Sequence, residues 1–156
     1  DTKIKEEYQT DFGKKKSLRI YNKDTDSYFK NQYMLISAGT SHKRQNFRKS
    51  IQAENATVFV DSGGYQLAQG TVDINKYTDA VALKWSEENG DIFPILDRPT
   101  FTLGMIRDGK PVSPYSDYDE CLNLSVKSAK YYSENRTRTD ATILNVIQGQ
   151  TIPQIK

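Results

Sequence analysis

Two aspartates and one glutamine of this chain each stand where an apolar run stops. Asp61 closes Thr57-Val-Phe-Val60 and opens into Ser62-Gly63-Gly64-Tyr65-Gln66; Asp97 closes Ile92-Phe-Pro-Ile-Leu96; Gln148, followed by Gly149, closes Ala141-Thr-Ile-Leu-Asn-Val-Ile147. A carboxylate at the carboxyl end of a strand, before glycines that let another molecule approach the backbone, is a common way for α/β enzymes to present a reacting group. A carboxylate can accept from an amino group and a ring N–H, an amide can donate to a ring carbonyl, and a tyrosine ring can stack on a heterocycle. The second carboxylate is then free to move a proton or to attack. Such a set suits a purine-like base and the glycosidic bond that holds it. Asp and Gly also build ordinary turns and caps, so the convergence of three strand ends, not the Asp-Ser-Gly-Gly tetrapeptide alone, carries this reading.

Positioning these groups requires strands that finish at one common end. Tyr33-Met-Leu-Ile-Ser-Ala38 stops at Gly39-Thr40 and makes a fourth apolar run beside the three already named. Helical spacing separates them. From a cap at Asp73, residues Ile74, Tyr77, Val81 and Trp85 share a face, and Asn89-Gly90 supplies a left-handed stop. A second helix starts near Ser116 or Asp117, where two overlapping capping boxes occur, and carries Leu122, Val126, Ala129 and Tyr132 toward the core. A weaker helix covers Lys43 to Ala53. Strands alternating with helices predict parallel pairing, hence an α/β fold. Residues 1–32 are polar and read as an arm or edge element, with the α/β unit over 33–156.

Composition narrows the classes. A chain of 156 residues suffices for one domain with a core, but a closed eight-stranded barrel needs about 200 or more. With 27% charged residues and a net charge of +2, overall charge does not announce a nucleic-acid binder. Basic residues do cluster, at Lys14-Lys15-Lys16-Ser17-Leu18-Arg19 and again at Lys43, Arg44, Arg48 and Lys49. The second group is a candidate contact for a phosphate backbone, and a solvated face is the plain alternative. One cysteine, Cys121, and one histidine, His42, leave no internal disulfide and no Cys/His zinc set, so no metal site is expected. A reducing cytoplasm fits, and no apolar run suggests a membrane span. His42 is expected on the surface, Cys121 packed in its helix and Trp85 in the core.

At this point the residues resemble a known family. Asp61-Ser-Gly-Gly-Tyr65-Gln66 is similar to the Asp-Ser-Gly-Gly-Phe/Tyr-Gln signature of the tRNA-guanine transglycosylases, and Val146-Ile-Gln148-Gly149-Gln150 resembles their Val-Gln-Gly-Gly segment. Leu35-Ile-Ser-Ala-Gly39-Thr40 is similar to the family's Pro-Val-Gly-Thr strand end, and Ile95-Leu-Asp97-Arg-Pro99 falls where the family carries the Asp of its Phe-Asp-Glu segment. The resemblance implies a (β/α)8 barrel, of which this chain holds the amino-terminal part. It implies exchange of a guanine in a nucleic acid for a 7-deazaguanine, through a covalent link from an Asp to the ribose carbon. Carried over by position, Asp61 is the general acid/base, Tyr65 stacks on the base, and Asp97 and Gln148 read its edge. Ser62, Gly63, Gln66 and Gly149 complete the pocket.

Departures matter as well. In the family the nucleophilic Asp, a glycine-bearing loop and a Cys-x-Cys-x-x-Cys plus His zinc site follow the Gln-Gly segment, and none can be assigned up to Lys156. The expectation is therefore either the amino-terminal part of a longer product or a shortened relative with a partner subunit or second copy, holding no cofactor of its own. The resemblance to relatives that modify DNA keeps both tRNA and DNA open as substrates. Two other readings stand beside this one: a metal-assisted hydrolase with Asp61 and Asp97 as ligands, and an inert nucleic-acid-binding subunit.

Overall fold

The computed structural model describes residues 31–155 together with two short backbone segments nearer the amino terminus. These segments, β1 (Glu7–Gln9) and β2 (Lys15–Ser17), pair antiparallel. The rest of the arm expected over residues 1–32, up to residue 30, lies outside the described residues.

From Tyr33 onward the chain alternates as predicted. β3 (Tyr33–Ser37) leads into one helical turn, α1 (Ala38–Ser41), and then another, α2 (Phe47–Ser50). β4 (Thr57–Asp61) is followed by α3 (Gly64–Ala68) and α4 (Asp79–Asn89), then β5 (Ile92–Pro94). A 3-10 turn (Thr100–Thr102) precedes a small hairpin of β6 (Ile106–Arg107) and β7 (Lys110–Pro111). Finally α5 (Tyr118–Asn135), β8 (Thr142–Leu144) and α6 (Ile152–Ile155) complete the order. β3, β4, β5 and β8 form one parallel sheet in that spatial order. The fold is thus α/β with parallel strands alternating with helices, and the described pairings do not close a barrel.

Period-two alternation decides which face is covered. Ile36, Val58, Val60 and Phe93 turn to the helical side, where they pack with Leu83, Trp85 and Tyr132. Tyr33, Leu35 and Leu144 face the other way and are exposed, Leu35 to 74%. Parallel sheets are ordinarily covered on both faces, so this second face is unusually bare for its class.

Several expected boundaries move. The helix foreseen from Asp73 begins at Asp79, because the Asp73 carboxylate accepts from Asn75 N at 2.9 Å and closes a local turn instead. Thr78 caps the helix by accepting from Val81 N. Its end does fall at Asn89-Gly90, but Gly90 is extended (φ −113°, ψ 155°) instead of left-handed, since the chain runs straight into Asp91 and β5. The foreseen Lys43 to Ala53 helix shrinks to Phe47–Ser50, flanked by left-handed Asn46 and Gln52.

For α5 the start is as read: Asp117 Oδ1 accepts from Glu120 N at 2.8 Å and Glu120 Oε2 accepts from Ser116 N at 2.7 Å. Its inward face is as read at Ala129 and Tyr132 and differs at the other two positions. Cys121, Ser128 and Tyr132 are buried, while Leu122 and Val126 are 43% and 58% exposed. Two hydrogen bonds fix that rotation: Ser128 Oγ to Asp79 Oδ1 at 2.6 Å, and Arg98 N to Ser125 Oγ at 3.1 Å. Cys121 and Ser128, with Ser125 half-buried, thereby take the inward places foreseen for Leu122 and Val126, beside Tyr132.

Candidate functional site

Ser37 and Asp61 are register partners on adjacent parallel strands. Parallel pairing in register puts both last side chains on the same face, and Ser37 Oγ donates to Asp61 Oδ2 at 2.9 Å. Asp61 is half-buried. Immediately after it the chain must turn sharply, and two glycines allow this. Gly63 sits at φ 84° with its Cα packed on Gly39; a Cβ there would lie 2.5 Å from the Gly39 Cα. Gly64 lies against the Asp97 backbone, where a Cβ would come within 2.4 Å of the Asp97 carbonyl oxygen. The turn can therefore press three strand ends together only because both positions lack side chains.

Buried Ser62 is the hinge between the two carboxylates. Its Oγ accepts from Gly64 N at 3.1 Å and donates to Asp97 Oδ1 at 2.7 Å. Its backbone oxygen accepts from Tyr77 OH at 2.6 Å. The other Asp97 oxygen accepts from Gln148 Nε2, while Gln148 Oε1 accepts from Thr100 N at 2.7 Å. Gln150 Nε2 then donates to the Thr100 oxygen at 2.8 Å. Ser62, Asp97 and Gln148 thus form one continuous network across β4, β5 and β8, and Ser37 with Asp61 stands next to it.

Electrostatics sets Asp97 apart. Burial pushes its carboxyl above the ordinary value, the Ser62 hydrogen bond pulls the other way, and the Asp61 charge adds to the rise. The neighbouring Arg98 does not offset this with an ion pair: its Nη1 donates to the backbone oxygens of Leu96, at 2.6 Å, and Asp97, at 3.4 Å. Burial and the Asp61 charge also hold the Tyr77 hydroxyl protonated, with its pKa raised well above the usual range.

Tyr65, 41% exposed, leaves the first turn of α3 and stacks on Phe101, with ring centroids 5.7 Å apart and planes inclined by 23°. The Tyr65 hydroxyl accepts from Gln69 Nε2. Gln66 points elsewhere. It packs against Gly39 and lines a separate cavity with Thr40, His42, Lys43, Thr71 and Lys76, its Oε1 buried without a partner among the described residues. Gly149 is half-buried against α6.

Of the residues singled out by sequence, then, Asp61, Ser62, Asp97 and Gln148 come together, Gly63 supports the turn beneath them, Tyr65 lies on Phe101 next to the Thr100 that Gln148 holds, and Gln66 turns to its own cavity. Arg48 leaves the basic group: its guanidinium donates to the Ala53, Glu54 and Ala56 oxygens and to Asp91 Oδ1. Lys43, Arg44 and Lys49 are exposed. His42 is half-buried, not surface, tilted against Tyr77 with its Nδ1 near the Ala38 and Gly39 oxygens. Ser37, Thr100, Phe101 and Gln150 were not foreseen. Ser37 carried a usable signal, a hydroxyl at a strand end like that of Asp61, whereas Phe101 carried none, lying in a segment without periodicity.

Among the described residues no three His, Cys, Asp or Glu side chains are grouped to hold a metal ion, and no helix is long and apolar enough to cross a membrane. Compared with known proteins, the chain matches no family model, no curated protein and no solved structure at a significant level.

Proposed function

We propose that the site is a base-exchange centre of the guanine-transglycosylase type, acting on a guanine in tRNA or DNA. One observation carries the reading. A strand-end carboxylate, Asp61, stands beside a second, Asp97, that is already held by a hydroxyl and an amide, and the turn after Asp61 leads into an exposed tyrosine, Tyr65, whose ring lies on Phe101. The supporting sequence motif is Asp61-Ser-Gly-Gly-Tyr65-Gln66.

In this reading Asp61 moves the proton. As a nucleophilic carboxylate not assigned in this sequence bonds to C1′, the N9–C1′ bond of guanine breaks, its electron pair stays with the base and Asp61 supplies a proton to it; N9 of the incoming 7-deazaguanine then gives its proton to Asp61 and displaces that carboxylate from C1′. Asp97 and Gln148 read the base edge, the carboxylate accepting amino and ring N–H groups and the amide turning to the ring carbonyl. Ser62 keeps Asp97 in place, and Tyr65 stacks on the heterocycle. The four strands then belong to a (β/α)8-type barrel whose inner surface is the exposed face bearing Leu35 and Leu144; exposed apolar side chains on a parallel sheet support that reading.

The test is release of radiolabelled guanine from bulk tRNA and from duplex DNA in parallel, with a 7-deazaguanine added. Release from either polymer, lost in Asp61→Ala, is the expected result and names the substrate. Release from neither polymer overturns the proposal.

A further inference from the structure

The excursion between Asp97 and α5 has a composition that the exchange chemistry leaves unexplained. From the Thr100–Thr102 turn onward it shows Phe101, Met105 and Ile106 to solvent, at 58%, 43% and 64% exposed. It then forms the β6–β7 hairpin, whose turn residues Asp108 and Gly109 have φ of 52° and 73°, the geometry that matches hairpin twist. Arg107 and Lys110 are register partners flanking that turn, both exposed, with Asp108 the acid between them.

This excursion is rooted in the site. Thr100 is held at both backbone atoms by Gln148 and Gln150. Phe101 lies on the Tyr65 ring. Pro111 and Val112 share a groove with Leu67 and Ala68, so the hairpin stands beside the helix that carries Tyr65. A single exposed apolar side chain needs no explanation. Three within six positions, adjoining an exposed tyrosine and followed by two cations, match a single strand of nucleic acid: aromatic faces take bases and cations take the backbone between them. An acidic peptide would use the cations and leave the stacked rings unused.

We infer that residues 100–111 form a single-strand-binding element, in which Phe101 extends the stacking surface of Tyr65 to a second base and Arg107 and Lys110 contact the adjoining phosphates. The inference rests on Tyr65 being a base-stacking residue and deepens the proposed function by naming what holds the strand next to the extruded nucleotide.

Fluorescence anisotropy of short labelled single strands, one DNA and one RNA of matched sequence, tests it over a salt series. Phe101→Ala and Phe101→Leu should each weaken binding about tenfold with the salt dependence unchanged, because stacking needs a π face. Arg107→Ala with Lys110→Ala should lower the slope of log affinity against log salt by about 1.4. The better-bound strand names the polymer. No binding by the wild type, full affinity in Phe101→Leu, or an unchanged slope in the double variant overturns the element. Its fate is separable from that of the site. Strand binding that depends on Phe101 without guanine release removes the exchange reading and keeps the element; guanine release with affinities unmoved by all these variants does the reverse.

Discussion

Acidic side chains are buried or half-buried at both ends of the sheet, and the two ends treat them oppositely. At the amino-terminal end Asp91 accepts from Arg48 Nη1 at 2.8 Å and from Val58 N at 2.9 Å, with Arg138 3.6 Å away. Burial works against the charge there, but those hydrogen bonds and cations hold the Asp91 carboxyl below its ordinary range. Glu87 is treated likewise, against its own burial, by Thr137 and Arg138. At the carboxyl-terminal end Asp61 and Asp97 meet neutral donors, Ser37, Ser62 and Gln148. Asp97 consequently has its pKa raised, first by burial. The first end is a clamp whose charges are already answered. At the second, only hydroxyl and amide groups donate to the carboxylates.

Removing the groups in turn should separate the two ends. Asp61→Ala should lower guanine exchange by about a thousandfold or more while Tm stays within about 2 °C, because the side chain contributes chemistry and one hydrogen bond. Normal turnover in that variant removes Asp61 from the mechanism. Asp97→Asn should weaken affinity for the base by about 10- to 100-fold, read by calorimetric titration, since a charge-assisted acceptor is lost. The same variant should raise Tm at neutral pH. A folded pKa above the unfolded one contributes stability below the ordinary carboxylate value and forfeits it as pH rises through the raised value, so ionised Asp97 weighs against the fold at pH 7. The gain should vanish as pH falls toward 3.

At the clamp the signs reverse. Asp91→Asn should destabilise by about 2 kcal/mol, lowering Tm by about 4–8 °C with base affinity unchanged. The Asp91 contribution is present above the ordinary carboxylate value and is lost as pH falls through the lowered folded value. Thermal melts should therefore show wild type and Asp91→Asn converging in acid, and a gap that persists there contradicts the ion-pair account. Smallest of all, Ser37→Ala should reduce exchange about fivefold by freeing the Asp61 carboxylate to reorient. A Ser37→Ala variant indistinguishable from wild type in its pH–rate profile argues that Asp61 needs no such support.

Much of the strand framework was legible before any coordinates, and the reason is local. Tyr33–Ala38 and Thr57–Val60 are short apolar runs closed by a glycine-bearing or polar turn, a signal contained in the run itself. The cap at Asp117 was legible for the same reason, its partners lying within four residues. By contrast α4 starts at Asp79 because Asp73 found a nearer backbone donor, and α5 buries Ser128 over Val126 because Asp79 stands opposite. These outcomes depend on residues about fifty positions away or on competition between turns of similar energy, and no window along the chain holds that information.

The site divides along the same line. Sequence by itself determined that Asp61 ends a strand, that Asp97 and Gln148 follow strands, and that Gly63 and Gly64 permit a tight turn, since each follows from residue type and neighbours. Tertiary structure alone decided that Ser62 bridges to Asp97, that Gln148 answers it from the far strand, that Gln66 turns away, that Arg48 is spent in the clamp, and that Phe101 lies on Tyr65. Strand order and register set those distances, and they are properties of chain crossings instead of local spacing.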